Sequence, residues 1–271
     1  MIKNFAQLEN NMNGRSDAPT IVLAGAADDH SIKALEEARA KWGIQYLAGD
    51  YSAQDAVNLV KEGKGSALMK GGINTGDLLK AVVDKTDGIG LGTLMSHIAA
   101  FECEKYHKLL FVTDGGMVPA PDLEQKALIL KNALGFMHSL GYEKPFVAAL
   151  AAAEAVNPKL PETTDAAELA ARGAAGEFGS CIIEGPISFD LAISRESATL
   201  KGFESQISGE TDLMLTPNIA TGNVLGKSLI YMGGATMAGC VLGATVPIIL
   251  TSRGATTHEK LLSMALALSV K

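Results

Sequence analysis

The chain has 271 residues and a formal net charge of −7, with only five arginines beside 18 lysines. That length is ample for a buried core, so stabilising disulfides or metals are unnecessary, and an acidic balance without a basic cluster excludes an electrostatic footprint for nucleic acid. Cys103, Cys181 and Cys240 lie far apart, no apolar signal core opens the chain, and no apolar run reaches the about 18 residues of a membrane span, so a reduced, cytoplasmic, non-membrane protein is expected.

From the N-terminus onward, short apolar runs rich in β-formers alternate with segments whose apolar residues recur at helical spacing. Strands are predicted over 20–23, 44–48, 66–69, 109–113, 146–150, 181–183, 212–215 and 246–251, none bounded by a two-residue hairpin signal. Between them, Ile32, Leu35, Ala38 and Trp42 share a helix face that Gly43 terminates, and Leu123, Ala127, Leu130, Leu134 and Met137 share another ahead of Gly141. Residues 157–162 carry two prolines within four positions and read as a loop, placed where a mobile flap could be. The alternation implies βαβ units and an α/β protein with mainly parallel sheets.

In such sheets ligands bind beyond the C-terminal ends of the strands. Four junctions there stand out: Lys70 to Thr75, Thr113 to Gly116, Glu184 to Asp190, and Thr251 to Thr256. The last runs from the strand VPIIL through Ser252-Arg253-Gly254 into a helix starting near Thr256, with an apolar stripe of Leu261, Leu262 and Leu266. Free N–H groups at a helix N-terminus and the planar fork of an arginine both suit phosphate, so an anion site is physically reasonable; a surface arginine in a tight turn is the plainer alternative. Glu259 completes T-x-x-E with Thr256, a capping box, and a cap is favoured there over a general base.

Other signals carry little. Gly222 to Ser228 looks like a phosphate loop but has Thr221 where its first glycine must stand, and Gly88, Gly90 and Gly92 lack the last glycine of G-x-G-x-x-G, Thr93 standing there. His30, His97, His107, His138 and His258 show no zinc spacing, His97 reads as a core histidine, and no G-x-S-x-G elbow supports a serine hydrolase.

The segments KLLFVTDGGM with PAPDLEQK, EGPISFDLAIS, KGFESQISGETDLML, PNIATGNVLGKSL and AGCVLGATVPIILTSRGATTHEKLLSMALA together resemble phosphate acetyltransferases and, more closely, phosphate butyryltransferases. The resemblance implies two parallel-sheet α/β domains with an active-site cleft between them, related to isocitrate and isopropylmalate dehydrogenases. The first would span 1–107 with 240–271 returning to it, and the second 108–239. It implies transfer of a short acyl group between CoA and inorganic phosphate, by direct thiolate attack in a ternary complex, with no metal or bound cofactor. Ser252 and Arg253 match the family's Ser-Arg pair, the arginine holding phosphate and the hydroxyl assisting the transition state, while Glu259 stands where acetyltransferases place a catalytic Asp. Asn218, Gly222, Asn223 and Lys227 match a cleft-facing segment, Asp114, Gly185, Pro186 and Asp190 match others, and Thr113 and Lys70 from the strand-end junctions complete the expected substrate-binding set. A homo-oligomer with a dimer unit is also implied.

Four departures stand against that pattern: Ala or Cys is common near Gly115 and Gly116, Asn is common where this chain has Val118 and where it has Leu191, and the stretch before Ser96-His97 lacks the basic residue expected there. Those at Val118 and Leu191 motivate a second class of reading, a catalytically weak sensor of CoA or acyl phosphate, against which the intact Ser252-Arg253 pair argues. Phosphate acetyltransferase is the alternative within the family, and a specialised acyltransferase of degradative or fermentative metabolism a third reading.

Overall fold

The computed structural model describes residues 1–13, 15, 17–251 and 254–270, which divide into two compact units. One comprises Asn4–Met95 and Met237–Lys271, the other Met1–Lys3 and Ser96–Thr236. The sequence reading draws its boundaries after 107 and 239; the observed division falls earlier because the segment starting at Ser96 forms a strand laddered onto the one at 110–113.

The chain starts in the first unit with α1 (Phe5–Asn13), β1 (Thr20–Ala24), α2 (Asp29–Trp42), β2 (Gln45–Leu47), α3 (Ala53–Lys61), β3 (Ala67–Lys70) and α4 (Thr75–Val82). It continues through the second with β4 (Ser96–Glu102), β5 (Leu110–Thr113), α5 (Leu123–Ser139), β6 (Phe146–Leu150), α6 (Pro161–Ala174), β7 (Ile182–Ile187), α7 (Phe189–Ile193), α8 (Arg195–Lys201), β8 (Leu213–Leu215) and α9 (Ile219–Tyr231). It then re-enters the first with β9 (Thr236–Leu242), β10 (Ile248–Ile249) and α10 (Thr257–Leu268).

In the first unit the strands run β2-β1-β3-β10-β9, parallel except for β9 against β10. In the second they run β4-β5-β8-β6-β7, parallel except for β4 against β5. Helices cover these sheets with the faces their sequences supply. α2 buries Ser31, Ala34, Leu35, Ala38 and Trp42 and stops at Gly43, whose φ of 68° is left-handed and free of a Cβ penalty. Ile32, expected on that stripe, is 36% exposed, because the buried arc is centred one residue earlier.

α10 is buried at every position from Lys260 to Leu268 and packs against α1, α2 and β10, so it is a core helix and not a surface one. Each of its buried leucines contributes about 1.5–3 kcal/mol.

Residues 161–162, expected in a flap, instead open α6, with Pro161 in its first turn, where a missing N–H costs nothing. The segment before it is pinned: Asn157 N–H donates to Thr163 Oγ1 at 2.8 Å, and that hydroxyl donates to Leu160 O at 2.8 Å. No helix among the described residues is long and apolar enough to cross a membrane.

Candidate functional site

In the first unit a cavity of about 360 Å³ opens beyond the C-terminal ends of β1, β3 and β10. The turn after β3 is built for close approach. A Cβ on Gly71 would stand 2.8 Å from Ala26 O, and the N–H groups of Gly71 and Gly72 donate to Ala24 O and Ala26 O at 2.8 and 2.7 Å. Asn74 follows as the cap of α4, accepting from Gly76 N–H at 2.8 Å. Opposite, Asp28 caps α2, accepting from Ser31 N–H at 2.9 Å and Ser31 Oγ at 2.7 Å.

Two ammonium groups line this cavity, Lys70 and Lys260. Lys70 Nζ donates to Gly71 O at 3.2 Å. Lys260 is buried; it donates to Ser31 Oγ at 3.0 Å and lies 3.6 Å from Asp28 Oδ2. Burial opposes the charged form of Asp28, but the Ser31 hydrogen bonds and the Lys260 charge outweigh it and hold its carboxyl below the usual value. Lys260 was not among the sequence candidates. Its signal is its phase, since it stands three, four and seven residues before Ser263, Met264 and Ala267 on a buried helix face.

Thr251, the last described residue before the Ser252-Arg253 pair, lines the same cavity; Ser252 and Arg253 themselves lie outside the described residues. Glu259 forms the expected capping box: Thr256 N–H and Oγ1 donate to its Oε2 at 2.7 and 3.0 Å, and its own N–H donates to Thr256 Oγ1 at 3.2 Å.

In the second unit the turn after β5 meets the start of α9. Asp114 is 2% exposed, and its carboxylate accepts four backbone N–H groups, those of Gly116, Met117, Val118 and His97. Thr113 Oγ1 donates to His97 O at 2.8 Å. Both side chains therefore shape the loop. A Cβ on Gly222 would come within 2.6 Å of Gly115 Cα and 2.8 Å of Asp114 O, so that glycine lets α9 touch the loop. Asn218 caps α9 through Thr221 N–H at 2.9 Å, and Asn223 Nδ2 donates to Gly115 O at 3.4 Å. Lys227 is exposed one turn further along. His97 Nδ1 is buried without a hydrogen-bond partner among the described residues. Burial lowers the His97 pKa despite Asp114 nearby, which favours the neutral imidazole.

The end of β7 supplies a third group. A Cβ on Gly185 would stand 2.7 Å from Ala149 Cβ, and Pro186 is buried, so both serve packing. Asp190 accepts from Ser188 Oγ at 2.9 Å and pairs with Lys201 at 2.9 Å, which holds its carboxyl below the usual range. Val118 and Leu191, where the chain departs from the family pattern, are 9% and 0% exposed and fill the core. Burial raises the thiol pKa of Cys103 and Cys181 and pushes that of Cys240 up to about 12, leaving Cys240 unsuited to act as a thiolate nucleophile.

Residues 45–268 match the family described as Phosphate acetyl/butaryl transferase. A phosphate butyryltransferase of Clostridium acetobutylicum is 41% identical over 216 residues, 80% of this chain and 72% of that protein. One from Clostridium beijerinckii is 34% identical over 297 residues, covering 98% and 97%. The crystal structure of a branched-chain phosphotransacylase from Enterococcus faecalis V583 superposes with a TM-score of 0.83 at 30% identity, covering 93% of this chain and 98% of that one. A 4-hydroxythreonine-4-phosphate dehydrogenase from Klebsiella pneumoniae, at 13% identity and a TM-score of 0.50 over 94% and 99% of the two chains, shares the fold alone.

Proposed function

Because this chain belongs to the phosphate acetyl/butyryltransferase family, we propose that its phosphotransacylase activity moves butyryl or a similar short acyl group between CoA and inorganic phosphate. The observation that carries the reading to a site is the cavity lined by Lys70, Lys260 and Thr251, which the chain leaves directly into Ser252-Arg253. Cationic side chains beyond parallel-strand ends suit a phosphorylated substrate.

In the direction of acyl-CoA synthesis the CoA sulfur bonds to the acyl carbonyl carbon as the thiol proton passes to a base. Collapse of the tetrahedral adduct then breaks the bond to the phosphate oxygen and expels inorganic phosphate. Such a step needs orientation and charge stabilisation more than a covalent nucleophile. In this reading Arg253 holds the phosphate and Ser252 the developing charge. Asn218, Gly222 and Asn223 set the substrate-facing surface of α9 against the Asp114 loop, and Lys227 offers a cation to CoA. Thr113, Asp114, Gly185 and Pro186 act by shaping backbone.

Purified protein given butyryl-CoA and phosphate is expected to release a titratable thiol, with kcat/KM highest among C2 to C5 acyl-CoAs at four or five carbons. A preference for acetyl-CoA selects the acetyltransferase reading, and binding without turnover on any of them selects the sensor. The core positions of Val118 and Leu191 weaken the case for a sensor, since neither departure removes a contact from a solvent-facing site.

Glu259 is the base candidate, and its capping box makes the test clean. Glutamine still serves a capping box, so Glu259→Gln should leave the melting midpoint in place. A base lost in this way lowers turnover by about a hundredfold or more and flattens its rise with pH. Unchanged kinetics would leave Glu259 a cap only.

A further inference from the structure

We propose that His97 donates its Nε2–H to a carbonyl oxygen of the acyl-CoA substrate at the strand ends of the second unit. The inference rests on the phosphotransacylase reading and adds a residue which that reading leaves out. Its basis is a histidine that gives neither ring nitrogen to the protein. Nδ1 is buried without a partner, and Nε2 makes no hydrogen bond among the described residues. A histidine kept for packing has its buried nitrogens satisfied.

β4 runs antiparallel to β5, and the register Ala99↔Val112, carried two residues on, sets His97 opposite Asp114. That is the C-terminal end of the parallel pair β5 and β8, where such sheets bind ligands. The backbone of His97 is held from both sides, its N–H donating to Asp114 Oδ2 at 3.2 Å and its carbonyl accepting from Thr113 Oγ1 at 2.8 Å. The ring lies under the following turn, since a Cβ on Gly116 would come within 3.1 Å of its Cγ and 3.4 Å of its Nδ1.

That turn cannot serve Nδ1, because the N–H groups of Gly116, Met117 and Val118 all go to Asp114. A buried N–H without an acceptor is rarer than an acceptor without a donor, so the proton belongs on Nε2. The residue is half-buried, which leaves Nε2 as the nitrogen that meets solvent. Asp114 is the charged group facing the ring, and burial outweighs it in favour of the neutral form. A neutral N–H suits an uncharged carbonyl, whereas phosphate draws charged donors. As the CoA sulfur bonds to the acyl carbon, the carbonyl π pair moves onto oxygen, where Nε2–H holds it without giving up its proton. The pair returns as the bond to phosphate breaks, and phosphate leaves with the bonding electrons. The pantetheine amides of CoA offer the same kind of acceptor, and the experiment separates the two sources.

Heteronuclear NMR of the ring nitrogens in the ligand-free protein reads the tautomer without turnover. Nε2 protonated and Nδ1 bare is expected at neutral pH; a protonated Nδ1 would overturn the proposal. His97→Leu removes the donor and the orphan acceptor together, so the melting midpoint should hold or rise while activity falls. A lost contact to the acyl carbonyl lowers kcat by about a hundredfold or more. A lost contact to a pantetheine amide instead weakens CoA binding by about tenfold and keeps kcat. Glutamine places an N–H where Nε2 stands, so His97→Gln should recover most of the loss, and His97→Asn, whose amide stops at the Nδ1 position, should not. These two variants and the tautomer carry the test if His97→Leu fails to fold.

Unchanged kcat and CoA affinity in His97→Leu would return His97 to the core and overturn the proposal, and His97→Gln as impaired as His97→Leu would overturn the donor role. Turnover independent of His97 sinks this inference alone. A protein without turnover whose Nε2–H resonance shifts on adding butyryl-CoA loses the reaction and keeps the donor.

Discussion

Arg253→Ala is expected to lower kcat/KM with phosphate or acyl phosphate by about ten- to a hundredfold while the melting midpoint stays near that of the unaltered protein. In the sequence the residue follows Ser252, two positions after Thr251, which lines the cavity. A guanidinium presents two parallel N–H groups to a phosphate, a geometry that an ammonium cannot match. Arg253→Lys should therefore fall between alanine and the native residue although the charge is kept. CoA affinity should change less than phosphate affinity. Full activity in Arg253→Ala would remove the phosphate role from this residue, leaving Lys260 and Lys70 as the cations to be tested for it.

Eight of the ten strands among the described residues were legible as apolar runs, and the two that were not share a physical reason. β4, SHIAAFE, and β9, TMAGCVL, are buried over most of their length, so they lack the alternation of a half-exposed strand, and their alanines and glycine blur β propensity. Pro161 misled in the other direction, since a proline inside a loop and a proline opening a helix look alike until the next turn is seen.

At the candidate site, the capping box of Glu259 was readable because it is local, four residues in a row. Lys260 was not, because a lysine on a helix is taken as solvated until the packing of α10 against α2 shows its face to be interior. The glycines that imitate a phosphate loop have their own cause. Gly222 and Gly226 lie one turn apart on the inner face of α9, the first against Gly115 and the second with its Cβ position 3.1 Å from the Phe101 ring.

Asp114 makes the second large prediction, one of stability. Its Oδ1 accepts the N–H groups of Gly116 and Met117 at 2.7 and 2.8 Å, and its Oδ2 those of Val118 and His97 at 3.3 and 3.2 Å. Asparagine has nearly the same shape but only one acceptor oxygen. Whichever way the amide is turned, its NH2 group faces two backbone donors, and each unpaired buried donor costs about 1–3 kcal/mol. Asp114→Asn should therefore destabilise by about 2–4 kcal/mol, lowering the melting midpoint by about 5–15 °C at this chain size. Asp114→Ala, which abandons all four donors, should be at least as severe. Turnover should fall with loop order, because the same loop carries the Gly115 carbonyl that meets Asn223 and the backbone that closes on Gly222. A substrate contact alone would behave differently, losing turnover with the melt unmoved. A shift of less than about 2 °C for Asp114→Asn, measured by calorimetry on the ligand-free protein, would contradict the four-donor account and return Asp114 to the list of direct substrate contacts.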